Sequence, residues 1–118
     1  MSSAVLKGSG NISEIVRTLE QEISQAGITN QLIYKAKRGQ VGSSSYLLVF
    51  EKFYYRNSSR ASLSLMISEN EETITVDVAG SGGGQGVIFR FNWGAESNFV
   101  NLVVNCLTRV GFQVVSVL

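Results

Sequence analysis

The side chains that most often do chemistry are scarce in this chain, and the few present bound what it can do. Histidine is absent, which removes the commonest general base and the commonest nitrogen ligand for a metal. Cys106 is the single cysteine, so neither an internal disulfide nor a thiolate metal cage can form. It falls in an apolar run of helical spacing, whereas a nucleophilic thiol needs exposure and a basic neighbour. A buried structural thiol is expected, with no metal and no cofactor. Glu51, Asp77 and Glu96 could act as a general acid and base only if the fold sets two of them face to face.

Three constellations remain. Glu51 and Lys52 interrupt the aromatic stretch 46–55, one on each face of a strand, and a charge on a covered face is costly unless paired. The sequence predicts either a cross-strand ion pair on a wet face or a pocket carboxylate with Arg60 or Arg90 as counter-ion. Gly80-Ser81-Gly82-Gly83-Gly84-Gln85-Gly86 could present amides to a phosphate. Phosphate loops, however, run from a strand directly into a helix. This stretch joins strand to strand and has no Lys, so a hairpin loop or bulge is expected. Lys35, Lys37, Arg38, Lys52, Arg56 and Arg60 could gather with Tyr34, Tyr54 and Tyr55 into a surface for single-stranded nucleic acid. The acidic turn Glu69 to Glu72 and the near-neutral balance oppose that. Trp93-Gly94 reads as a core anchor and a turn, with ligand stacking as its alternative. The candidate ligand-binding set is therefore Glu51, Arg60, Gln85, Arg90 and Trp93, with Gly82, Gly83 and Gly84 as the candidate loop.

The elements that must position these residues follow from period. At 118 residues with 44% hydrophobic and 16% charged content, the chain reads as a single domain spanning 1–118 with a core of its own. Ten basic against nine acidic residues leave a net charge of +1, which gives no electrostatic pull toward nucleic acid or an anionic membrane. The first ten residues lack the apolar run of a secretory signal, and no apolar run is long enough to cross a bilayer. A cytosolic location is expected, without a membrane partner.

Asn11-Ile12-Ser13-Glu14 has capping-box spacing, and Ile12, Ile15, Val16, Leu19, Ile23 and Ala26 continue one helical face to Gly27, placed for a left-handed cap. The period then changes to two. Strands are predicted over Gln31 to Arg38, Tyr46 to Tyr55, 61–68, 73–78 and 87–92. Short connections make these an antiparallel meander. Phe99, Leu102, Val103, Cys106, Leu107 and Val110 predict a second amphipathic helix closed by Gly111, and short strands are expected at Ala4 to Lys7 and from Phe112. The fold class is α+β: an antiparallel β-meander of about five to seven strands with two amphipathic helices on one face.

Four segments carry a resemblance: Val49-Phe50-Glu51-Lys52-Phe53-Tyr54, Ser59-Arg60-Ala61-Ser62-Leu63-Ser64-Leu65, the Gly80 to Gln85 stretch, and Phe89-Arg90-Phe91-Asn92-Trp93-Gly94-Ala95-Glu96. Over roughly residues 45–107 the chain resembles a bacterial family known as a domain of unknown function. Gly84 stands where that family's pattern has Ser. The resemblance implies domain limits and no activity. The order of elements also resembles a reduced helix-grip arrangement, which can enclose an apolar ligand. The function expected is a small non-catalytic binding module for a small apolar ligand or a protein partner. An enzyme with a carboxylate/Arg site and a weak single-stranded nucleic-acid binder are the alternatives.

Overall fold

Asn11 starts the first helix for the reason its spacing gives: its side-chain oxygen accepts the Glu14 amide at 3.1 Å, satisfying one of the orphan donors of the first turn. The computed structural model describes residues 2–27, 29–54, 59–83 and 93–117. Helix α1 (Ile12–Gln25) buries Ile12, Val16, Leu19 and Ile23 on one stripe. Its far end is closed differently from the expectation for Gly27, which lies outside the left-handed region. The Asn30 side-chain amide instead donates to the Ile23 carbonyl at 2.7 Å. Replacing Asn11 with alanine is expected to cost about 1 kcal/mol of stability, read as a lower urea midpoint with an unchanged slope.

Six strands among the described residues form one antiparallel sheet: β1 (Ser2–Gly8), β2 (Gln31–Arg38), β3 (Ser45–Tyr54), β4 (Ser59–Asn70), β5 (Thr73–Gly83) and β6 (Gln113–Val117). Their order is β2-β3-β4-β5-β1-β6. The run from β2 to β5 is the expected meander. The meander predicts a strand at 87–92 beside β5; those residues lie outside the described set, and β1 pairs along that edge, with Ser2 opposite Gly80 and Gly8 opposite Ile74. β1 is thus an interior strand, and β6 pairs along its other side.

The glycine-rich stretch is the second correction. Gly80 to Gly83 is not a loop but the end of β5, in register with Leu63, Ser62, Ala61 and Arg60 of β4. The ladder pairs backbone groups and is indifferent to the missing side chains. At Gly82 the missing side chain is a requirement: φ is +134°, and a Cβ would stand 2.4 Å from the Ala61 Cα and the Arg60 carbonyl oxygen.

Helix α2 (Trp93–Arg109) buries Phe99, Val100, Val103, Cys106 and Leu107. Gly111, at φ +99°, ends it as predicted: the Phe112 amide donates to the Leu107 carbonyl at 3.0 Å and the Gly111 amide to the Thr108 carbonyl at 3.2 Å. This is the paired bond pattern of a Schellman cap, with buried Leu107 and Phe112 as its apolar contact.

Both helices lie against the sheet, α1 on β2 and β4, α2 on β1, β4 and β5. The α+β architecture read from the sequence is the one observed. Alternation along each strand sends one set of side chains under the helices: Ala4 and Leu6, Tyr46, Leu48 and Phe50, then Ala61, Leu63, Leu65 and Ile67, then Ile74, Val76 and Val78. These join the helix stripes in one cluster. Each large aliphatic or aromatic member contributes about 1.5–3 kcal/mol by leaving water. Lys35 to Glu20 at 3.0 Å, and Arg109 to Glu22, tie β2 and α2 to α1 at the rim.

Candidate functional site

The opposite face of the sheet carries no helix among the described residues, and the strand registers set its side chains in rows across the strands. One row reads Ala36, Leu47, Met66, Asp77, Val5; the next reads Tyr34, Val49, Ser64, Ala79, Ser3. The flanking row holds Arg38, Ser45, Ser68, Thr75 and Lys7, and on the other side Glu51, Ser62 and Ser81 follow. The first two rows make an apolar band. At its centre Leu47 and Met66 are 39% and 50% exposed, with Tyr34 exposed beside them.

Two shallow depressions meet on that pair. One, of about 360 Å³, is lined by Val5, Leu47, Ser64, Met66, Asp77 and Ala79 among others. The other, of about 290 Å³, is lined by Tyr34, Ala36, Arg38, Leu47 and Met66 among others. Asp77 is an exposed carboxylate in apolar surroundings, without a hydrogen-bond or ion-pair partner among the described residues. Between sheet and helices the side chains close up: Leu6, Leu19, Ile23, Leu48, Phe50, Leu63 and Leu65 have no exposed area.

Of the predicted ligand-binding side chains, Glu51 and Arg60 fall among the described residues, and they stand on the open face rather than in that core. Glu51 faces the open side, and Arg60, one strand over, donates to it at 3.3 Å. The guanidinium also lies over the Phe53 ring, 5.7 Å from its centre. This is the cross-strand ion pair on a wet face, and the reading of Glu51 as a carboxylate in a covered pocket is corrected. Both partners are partly or largely exposed, so the pair is worth little to stability. Gly82 and Gly83 are strand residues of β5. Gly84, Gln85 and Arg90 lie outside the described residues, and Trp93 opens α2 with its side chain outside them.

Tyr55 and Arg56 of the basic aromatic cluster lie outside the described residues, and its members on β2 are divided by the pleat. Lys35 and Lys37 stand opposite Leu48 and Tyr46 on the helix side, where Lys35 pairs with Glu20 and Lys37 lies over the Tyr46 ring at 5.6 Å. The cation and a hydrogen bond with Ser13 together hold the Tyr46 hydroxyl below its usual pKa, the Ser13 bond being the larger cause. Tyr34 and Arg38 point to the open face.

Cys106 is buried as expected. Burial, helped by donation to the Glu22 carboxylate at 3.3 Å, pushes its thiol from an ordinary 9.0 up to about 11. The Arg109 guanidinium, and then the thiol, hold the Glu22 carboxyl below the usual range. A thiol that keeps its proton is a poor nucleophile. Native protein at pH 8 is expected to react with a disulfide reagent at under about a hundredth of the rate of urea-unfolded protein. Because unfolding returns the thiol to its ordinary value, the unfolded chain binds fewer protons between pH 9 and 11. This contribution to stability is complete below pH 9 and falls as pH rises toward 11. A Cys106→Ser variant is expected to lose that part of the alkaline decline in a denaturation series.

The sequence reading missed Leu47 and Met66, and named Tyr34 and Asp77 only for other roles, in a nucleic-acid surface and a carboxylate pair. The signal was present: Tyr46-Leu47-Leu48-Val49-Phe50 is apolar on both faces, whereas a strand with one wet face alternates.

Among the described residues no three His, Cys, Asp or Glu side chains are grouped to hold a metal ion, and no helix is long and apolar enough to cross a membrane. A search of curated proteins found no match. Residues 1–111 match a protein family, well beyond the 45–107 over which the resemblance was read. The chain belongs to that family, which is described as a family of unknown function (DUF6054).

Proposed function

We propose that the protein is a non-catalytic cytosolic binding module that receives a protein partner on the open face of its sheet. One observation carries this reading: the helix-covered face is filled by its own side chains, while the opposite face leaves Leu47 and Met66 exposed over two shallow depressions. Contiguous apolar surface rimmed by polar residues is characteristic of interaction sites. Shallow, open depressions suit a flat macromolecular surface better than a small apolar ligand, which favours a concave site that encloses most of its area. The unpaired thiol supports a reducing compartment.

The alternatives have less support. Glu51 and Asp77 on the same face oppose a nucleic-acid backbone, and Glu51 is engaged by Arg60 rather than poised beside a second carboxylate.

A photoreactive amino acid at position 66, compared in cells with one at Arg17 on the exposed side of α1, tests the reading. The expected result is a discrete adduct at position 66 that Leu47→Asp abolishes. The same adduct pattern from both positions overturns it.

A further inference from the structure

We infer that the occupant of the open face is a second copy of this chain, the two sheets packing face to face about a two-fold axis that runs along the strands between β3 and β4. This names the partner for the docking surface proposed above and rests on that reading. The argument is the self-complementarity of the rows. Such an axis lays β3 over the partner copy's β4 and β2 over its β5, with each row facing its own counterpart.

Leu47 then meets the second copy's Met66, and Met66 its Leu47, so the two most exposed central apolar side chains cover one another. In the next row Tyr34 stands over Ala79 of the other copy, large against small, and Val49 over Ser64. The charges agree as well. Arg38 lies on β2 and Asp77 on β5, one row apart. Within a single copy β3 and β4 separate these two strands, but across the interface Arg38 reaches the Asp77 carboxylate of the other copy. The contact occurs twice by symmetry. It supplies the partner that Asp77 lacks within its own chain and leaves no like charges opposed in the two apolar rows.

Four strands, each about 4.8 Å wide, and four rows, each about 6.8 Å deep, give a footprint of about 19 by 27 Å. That is at the small end for specific assemblies, and it points to a dimer that dissociates on dilution.

Sedimentation equilibrium of the full chain over a wide concentration range is the test, with the charge-reversal variants Arg38→Asp and Asp77→Arg and their combination. The expected result is concentration-dependent dimerisation, weakened about tenfold or more by either single reversal. The double variant, in which the signs are exchanged, returns to within about threefold of the parent. Mixing Leu47→Cys and Met66→Cys chains, each in a Cys106→Ser background, is expected to give a disulfide-linked pair under oxidising conditions. A parent chain that stays monomeric at all concentrations overturns the inference, as do single reversals without effect or a double variant no better than the singles. If the parent is monomeric while position 66 still gives its discrete Leu47-dependent adduct with another protein, the second copy is excluded and the docking face stands. If neither dimer nor adduct forms, both readings fall.

Discussion

Phe50→Ala is expected to lower the free energy of unfolding by about 3–5 kcal/mol, the range for emptying a fully buried aromatic position. Phe50 is the largest of the side chains with no exposed area. It stands between Leu32 of β2 and Leu63 of β4 on the helix-covered face, where α1 and the strands leave little freedom to collapse into the void. A domain of this size has about 5–15 kcal/mol in total, so one substitution removes a large share. Urea denaturation followed by far-ultraviolet circular dichroism reads the effect as a lower midpoint. A change under about 1 kcal/mol contradicts the close packing of α1 on the sheet.

The second large effect belongs to Gly82. Alanine there adds a methyl group 2.4 Å from two backbone atoms of β4, at a φ of +134° that residues with a side chain rarely adopt. Backbone cannot swing aside as the end of a flexible side chain can. The strain and the clash together are expected to cost about 3 kcal/mol, again read from the urea midpoint. The loss is expected in plain buffer, with no anion present, because this glycine serves strand pairing. A Gly82→Ala protein as stable as the parent, yet altered in phosphate binding by NMR, restores the anion-loop reading.

Elements governed by local rules were the legible part. Asn11 with the stripe from Ile12 to Ile23 specifies α1, Gly111 specifies the end of α2, and alternation in Leu63-Ser64-Leu65-Met66-Ile67 and Ile74-Thr75-Val76-Asp77-Val78 specifies β4 and β5. Each signal lies within a few residues of the structure it causes. Cys106 was legible because burial follows from its place in the helical stripe.

The position of β1 was not legible. Nothing in Ala4-Val5-Leu6 says that its neighbour is the strand around Val76 rather than the next strand in the chain; only the finished sheet decides. Gly80 to Gly83 misled for a related reason. Its composition is that of a loop, but β4 continues past it and offers a ladder that backbone alone can fill. Glu51 was legible as a charge needing a partner, and Arg60 as a candidate for it. The open face was visible only in the uninterrupted apolar run of β3, which a strict two-residue pattern ignores.

The insertion of β1 between β5 and β6 also sets an order of events on the ribosome. β1 emerges before the other five described strands, yet its inner neighbour begins at Thr73 and its outer neighbour at Gln113. Pairing across such sequence separations is slow, because the chain between must be gathered before any bond forms. The nascent polypeptide therefore carries Ala4-Val5-Leu6 unpaired at least until β5 has emerged. Only when β6 leaves the exit tunnel can both flanks of β1 be closed.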